Sequence, residues 1–328
     1  MRLFALLMIA LAPHASAADG PIEDPAKTTV AILMFDGVQI IDYAAPYEVF
    51  AQAGFTIFTV SKDGQAVKAA QGLKSAVDHS YASAPAAQIV VVPGGDVQGI
   101  ERDAATLAWL RKQSALAEHV LSICTGSFIL GHTGLLDGGS ATTFHRSFDS
   151  MQKDFPRVKI VRDQRWVDTG KFVTSSGLAS GIDTSLHVVA EVRGLKVARS
   201  VAMRLEYDWH PDAGFVRGKF ADRYVRLPST LRPPQGTNID EITSIGDIST
   251  WETVYLVESP LAAAALFDLF EAQAGKDAEF TVTKRTAPDQ LAWEYQSPLG
   301  GRWKMSFVAN SGDPANRYRV TGTLTPVR

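Results

Sequence analysis

Cys124, in the segment LSICTGSFIL, is the residue whose chemistry and setting point most directly to function. The apolar run HVLSI, residues 119–123, predicts a strand that leads straight into this cysteine, and Thr125, Gly126 and Ser127 follow it. Small residues permit the sharp strand-to-helix turn, or elbow, that projects a nucleophile at the top of a sheet. The N-terminus of the following helix favours a thiolate, the reactive form of the side chain. A lone cysteine is more commonly a small buried hydrophobe, but this context favours an active-site nucleophile.

Two glycines and a carboxylate lie near other predicted strand ends and could complete a site. Gly94 and Gly95 end the run QIVVVPGG, where glycine lets the backbone approach a ligand closely. Their N–H groups, together with that of Thr125, are candidate donors to an oxyanion or a substrate. Asp42 follows the turn after the first predicted strand, and a carboxylic acid near the sulfur could move a proton. Glu48 is a further candidate residue of this site.

Histidines provide weaker evidence. His145, in ATTFHRSF, follows the elbow helix and is a candidate base partner for the cysteine. His187 lies in an apolar helical segment, where a histidine is more often a core residue. No His, Cys or carboxylate cluster has metal-ligand spacing, and neither a P-loop nor a G-x-G-x-x-G motif occurs. The sequence therefore predicts no metal and no cofactor.

Alternating strands and helices must position these residues. Continuous apolar runs predict strands buried on both faces, and a 3.6-residue period predicts the helices between them. The predicted strands are 29–35, 55–60, 88–95 and 119–123, and the predicted helices are 43–53, 103–117, 176–194 and 197–207. This order indicates an α/β fold with a parallel sheet, in which sites form beyond the carboxyl ends of the strands.

The composition changes in the last third of the chain. Residues 216–240 include the Pro- and Gly-rich stretch YVRLPSTLRPPQGTN and are interpreted as a linker. Residues 241–328 predict a small α+β domain of unknown role, with a helix over 259–275 and four alternating strand segments after it.

The first residues resemble an export signal. Met1 and Arg2 precede the apolar run LFALLMIALA, and Ala15-Ser16-Ala17 forms an A-x-A cleavage site. The run is about half the ~20 residues needed to cross a bilayer, so no stable membrane anchor is expected. The sequence predicts a signal peptide over 1–17, a linker over 18–27 and a periplasmic or secreted protein.

Composition limits the partners that we expect. The formal net charge is −3 and no run of basic residues occurs, which argues against a nucleic-acid partner. The single cysteine leaves no internal disulfide. A small-molecule substrate is the expected partner.

Taken together, several motifs resemble the DJ-1/PfpI superfamily, over residues 28–215. They are VAILMFDGVQIIDYAAPYEVF, IVVVPGG, LSICTGSFILGHTGLLDG, ATTFH, SSGLASGIDTSLHVVAE and LEYD. Within the superfamily they are similar to isonitrile hydratases and to the amidotransferase-like domain of AraC-type regulators. The resemblance implies a flavodoxin-like sandwich, a nucleophilic Cys124, an acidic partner Asp42, oxyanion donors at Gly95 and Thr125, and a homodimer.

The chain departs from this pattern in three places. Many relatives have ATTHW where this chain has ATTFH, so Phe144 takes the usual histidine position and a Cys–Asp arrangement is favoured over a Cys–His pair. An export signal is unusual for the group, and the C-terminal segment does not resemble a helix-turn-helix pair. We therefore expect a hydratase or hydrolase acting on a small electrophile. A non-catalytic ligand or redox sensor using the same thiol is the alternative, and a transcriptional regulator is disfavoured.

Overall fold

The structure is a computed structural model that describes residues 28–212, 216–310 and 316–327. The predicted signal peptide, 1–17, and the linker, 18–27, lie outside the described residues. Among the described helices, none is both long and apolar enough to cross a membrane.

Two compact units divide the chain. The first comprises the described residues up to Leu135, with Gly170–Val173 and Gly177–Pro211. The second comprises Leu136–Thr169, Thr174–Ser176 and the described residues from Asp212 onward. The predicted domain boundaries, 28–215 and 241–328, stay a prediction.

Strands and helices alternate through the first two thirds of the chain. In order, the elements are β1 (Thr29–Leu33), α1 (Ile40–Gln52), β2 (Thr56–Ser61), β3 (Val67–Lys68), β4 (Lys74–Ser75), β5 (His79–Ser80), β6 (Ile89–Val92), α2 (Ala104–Leu116), β7 (His119–Ile123), α3 (Gly126–His132), β8 (Ser140–Ala141), α4 (Phe148–Asp154), β9 (Lys159–Ile160), β10 (Trp166–Asp168), β11 (Phe172–Ser175), α5 (Ala179–Arg193) and α6 (Leu195–Arg204). The main sheet has seven strands in the order β10-β11-β7-β6-β1-β2-β5.

The centre of this sheet is parallel, as predicted. Strand β1 pairs in parallel with β2 and with β6, and β6 pairs in parallel with β7. Every residue of β6 is fully buried, because both faces of a parallel sheet are covered by helices. The strands β1, β6 and β7 run in one direction, so their carboxyl ends meet at one edge. The α/β, flavodoxin-like fold class is confirmed.

Helix α1 differs from its prediction. It begins at Ile40 rather than at Tyr43, so Pro46 lies inside the helix instead of in its first turn. Proline has no N–H to donate to the carbonyl of Asp42, four residues earlier, which is why the sequence favoured a later start.

The rest of the second unit contains an antiparallel sheet with one helix. Its elements are β12 (Asn238–Gly246), β13 (Trp251–Glu258), α7 (Ala263–Ala274), β14 (Phe280–Val282), β15 (Gln290–Gln296), β16 (Arg302–Asn310) and β17 (Arg317–Pro326), and the strand order is β12-β13-β17-β16-β15-β14. Trp251, Trp293 and Trp303 are buried in its core, as expected for tryptophans in strands.

The first two strands of this sheet were not predicted. Strand β12 is an edge strand on which no side chain is buried, and its register shifts between Glu241 and Thr243. A strand exposed on both faces, with a bulge, lacks the regular apolar alternation by which strands are identified in a sequence.

Candidate active site

Cys124 occupies the predicted elbow between β7 and α3. Its backbone φ is +56°, in the left-handed region that a non-glycine residue seldom adopts. Such strain persists only where the surrounding structure holds it, and it is concentrated at functional sites. The side chain is buried, with 8% of its surface exposed.

Glycines make the elbow possible by leaving room around it. A Cβ at Gly94 would lie 2.7 Å from the backbone nitrogen of Thr125 and 2.8 Å from the Cys124 Cβ. A Cβ at Gly126 would lie 2.7 Å from the carbonyl oxygen of Pro93. Neither position admits a side chain, because the two strand ends pack directly against each other.

Asp42 lies beside the sulfur, as the sequence predicted. Its carboxyl group is fully buried and accepts hydrogen bonds from the backbone N–H of Gly94 (3.2 Å) and of Leu178 (3.0 Å). The Cys124 thiol donates a further hydrogen bond to it. Burial raises the pKa of Asp42 to about 6, although all three hydrogen bonds favour its charged form.

The electrostatics of the thiol differ from the expectation based on the helix N-terminus. Burial, followed by the charge of Asp42, raises the pKa of Cys124 to about 12. The backbone N–H and the hydroxyl of Thr125 do favour the thiolate, but these effects are smaller. Desolvation of the buried anion therefore outweighs the hydrogen bonds from Thr125, at the N-terminus of α3. Near neutral pH the site therefore holds a neutral thiol hydrogen-bonded to a carboxylate.

The three predicted oxyanion donors all lie at the elbow, and each already has a partner. The N–H of Gly94 donates to Asp42, and the N–H of Gly95 donates to Thr125 Oγ1 (3.0 Å). The N–H of Thr125 donates a hydrogen bond to the Cys124 sulfur. Their role as donors to a substrate stays a prediction, and it requires substrate to displace these contacts.

Two residues at this site escaped the sequence analysis. Gly177, at φ +91°, packs against the cysteine so closely that a Cβ there would lie 2.8 Å from the sulfur. Leu178, at φ +52°, donates its N–H to Asp42 while its side chain is 42% exposed. The available signal was Gly177 itself, which the sequence analysis included in the predicted helix 176–194, whereas α5 begins at Ala179.

The remaining two candidates have other surroundings. Glu48 is exposed and accepts a hydrogen bond from Gln52 Nε2 (2.9 Å). It follows Asp42 by six residues on α1, about 240° around the helix, so the structure does not bring the two carboxylates together.

His145 belongs to the second unit. Its Nε2 lies 3.9 Å from Asp222 Oδ2, and no described group hydrogen-bonds this nitrogen. Burial, assisted by the charge of Arg217, lowers the pKa of His145 to about 4, so the imidazole is neutral at pH 7. Its role as a base partner of Cys124 stays a prediction.

The fold and the elbow define a flavodoxin-like protein with a buried Cys–Asp pair. Residues 28–191 match the model of the DJ-1/PfpI family. The chain belongs to this family, which confirms the resemblance found in the sequence.

Relatives with known names divide between an enzyme and regulators. An isonitrile hydratase from Pseudomonas putida is 33% identical over 183 residues, which is 54% of this chain and 78% of that protein. The HTH-type transcriptional regulator GbdR from Pseudomonas aeruginosa is 28% identical over 250 residues, 73% of this chain and 65% of that protein. Among solved structures, a THiJ/PfpI family protein from Pseudomonas syringae has a TM-score of 0.54 and 28% identity, and covers 62% of this chain and 85% of that chain.

These relatives contradict the exclusion of a nucleic-acid partner. GbdR, with which 73% of this chain aligns, is an HTH-type transcriptional regulator, and so are two further relatives. The exclusion rested on a net charge of −3, and an average over the whole chain does not report how charge is distributed on a local surface. The argument from charge is therefore wrong.

Proposed function

We propose that the protein is a cysteine-dependent hydratase or hydrolase of a small electrophile, similar in chemistry to an isonitrile hydratase. The observation that carries the proposal is the pairing of Cys124, held at φ +56°, with the buried carboxyl of Asp42. A strained nucleophile within hydrogen-bond reach of a base is the arrangement that covalent catalysis requires.

The raised pKa values support general-base catalysis rather than a free thiolate. Because the pKa of Cys124 is about 12, the thiolate is scarce before substrate binds. Asp42, with a pKa of about 6, is mostly ionised at pH 7 and can take the thiol proton as the sulfur attacks. The negative charge then moves from the carboxylate to the substrate, and no isolated thiolate has to form.

An isonitrile illustrates the proposed steps. The Cys124 sulfur bonds to the terminal carbon, the thiol proton passes to Asp42, and Asp42 protonates that carbon to leave a thioimidate. Water then adds to the same carbon while Asp42 relays a proton to nitrogen. The C–S bond breaks, the sulfur regains a proton, and one isonitrile plus one water becomes one N-substituted formamide.

Turnover of an alkyl isonitrile tests this proposal directly. We expect the wild-type chain to release the formamide, and Cys124→Ser and Asp42→Asn to lose at least 100-fold in rate, in line with the usual contribution of such groups. Glu118→Gln, at an exposed carboxylate, is the matched control and should retain activity. Turnover that survives Cys124→Ser would disprove the proposal.

A regulatory sensor is the second candidate, favoured by the alignment of 73% of this chain with GbdR. In this case the site around Cys124 would bind a ligand without turnover, and the chain would take part in DNA recognition. A redox form of the sensor is less favoured, because peroxide reacts with thiolates and burial raises the pKa of this thiol. A mobility shift of promoter DNA by wild type and Cys124→Ser alike, without isonitrile turnover, would support the sensor.

Export and dimerisation belong to the same proposal. A signal peptide cleaved near Ala17 would place the protein in the periplasm or outside the cell. N-terminal sequencing of the protein recovered from cell fractions tests the cleavage, and sedimentation analysis tests the homodimer. An uncleaved chain in the cytoplasm would contradict export and leave the regulatory candidate favoured.

A further inference from the structure

A cavity of about 300 Å³ lies in the second unit, against the antiparallel sheet. Five strands of the sheet form the first wall of the cavity. Helix α7 forms the second wall, and the segment before β12 forms the third. Representative wall residues are Val257, Leu291, Val320, Leu266, Phe270 and Leu231.

The walls are apolar almost throughout. No described residue that lines the cavity carries a charged side chain, and Tyr255 and Trp293 bring the few polar atoms. Buried residues make up its floor, including Val257, Leu266 and Trp293, whereas Leu227 and Ile239 at its edge are 56% and 44% exposed. The cavity is therefore a dry pocket with an apolar mouth.

A space of this size needs a physical explanation. Apolar surface that opens to solvent, as it does here beside Leu227 and Ile239, commonly marks a binding site. Water is a poor filler here, because a buried water needs several polar partners and these walls offer few. Ligand pockets begin at about 300 Å³ and are lined mainly by hydrophobic and aromatic side chains, so this cavity has the composition and size of a ligand site.

We infer that the cavity binds a neutral, mainly apolar small molecule of about two rings. A cavity of about 150 Å³ lined by Leu, Ile and Phe holds benzene, and this cavity has twice that volume. The rings of Phe267, Phe270 and Phe307 offer flat walls to a ring system. A charged ligand is excluded, because its desolvation would find no opposite charge on the walls.

Titration with 6-propionyl-2-(dimethylamino)naphthalene, a neutral two-ring dye whose fluorescence shifts to the blue in apolar surroundings, tests the inference on the full chain. We expect saturable binding at one site per chain. Leu231→Trp fills the cavity from a half-buried loop position, and Ile239→Glu places a charge at the mouth; each should weaken binding at least tenfold.

The matched control is Ile245→Glu, since Ile245 lies on the same strand as Ile239 but is 68% exposed and outside the cavity. It should bind like wild type. Absence of saturable binding, equal binding by Ile239→Glu and Ile245→Glu, or tighter binding of the anionic two-ring dye 5-(dimethylamino)naphthalene-1-sulfonate would overturn the inference. Binding that weakens as protein concentration rises would assign the mouth to a second copy of the chain and would also overturn it.

Discussion

Replacing Asp42 by asparagine should change the pH dependence of stability in a calculable way. Burial raises the pKa of Asp42 from 3.8 to about 6 in the folded protein. The folded state therefore binds this proton more tightly than the unfolded state. The stability that Asp42 contributes is fully present below pH 3.8 and is lost as the pH rises through about 6.

The size of the effect follows from the pKa shift. Raising the pKa from 3.8 to about 6 corresponds to about 3 kcal/mol, most of which is lost between pH 4 and pH 7. Asparagine does not ionise, so the stability of Asp42→Asn does not fall in this way as the pH rises. It also leaves one of the N–H groups of Gly94 and Leu178 facing an amide N–H₂. That cost of about 1–3 kcal/mol is constant with pH.

Urea unfolding of wild type and Asp42→Asn at pH 4, 5, 6 and 7 measures the difference. We expect the free energy of unfolding of the variant to rise by about 2 kcal/mol relative to that of wild type across this range, whatever the difference at pH 4. Glu118→Gln, at an exposed carboxylate, should show a flat difference. A flat difference for Asp42→Asn as well would refute the claim that burial raises the pKa of this carboxyl.

Three further predictions concern the same site. Isonitrile turnover should rise with pH through about 6, as Asp42 ionises to become the base, and a pH–rate profile without this rise would contradict the assignment of the base. Iodoacetamide should modify Cys124 slowly at pH 8, because burial and the charge of Asp42 hold the thiol protonated; modification as fast as that of an exposed cysteine, followed by mass spectrometry, would contradict the raised pKa. Gly177→Ala should lower the free energy of unfolding in urea by about 3 kcal/mol or more, because the alanine would be strained at a positive φ and would overlap with Cys124. Gly170→Ala is the control: it lies at φ +88° in open space and should lower the free energy by only about 1 kcal/mol. Equal costs at the two glycines would show that Gly177 is not pressed against the cysteine.

Much of the first unit could be predicted because its signals are local. The runs that became β1, β6 and β7 are predominantly apolar, as expected for strands covered on both faces. Strand β12 was not predicted because an exposed edge strand buries too little to impose a regular alternation. Strand β13 does bury Trp251, Thr253 and Val257 at alternate positions, a signal that the sequence analysis missed.

The candidate site was partly predictable for the same reason. Cys124 and Gly94 each follow an apolar strand, and parallel strands bring such ends together. Gly177 gave no comparable signal, since a glycine before a helix is ordinary and only the packed structure places it against the sulfur.

The sequence by itself determined that the cysteine sits at a strand-to-helix elbow, because the strand, the small residues and the following helix are contiguous. It also offered Asp42 as an acidic partner, after the turn that follows the first strand. The strand order β7-β6-β1, which brings the two groups together, was decided by the tertiary structure. Only the tertiary structure decided how they behave: burial raises both pKa values, and the hydrogen bonds from Gly94 and Leu178 fix the carboxyl. Desolvation depends on atoms brought in from distant parts of the chain, so the neutral thiol could not be foreseen from the residues beside it.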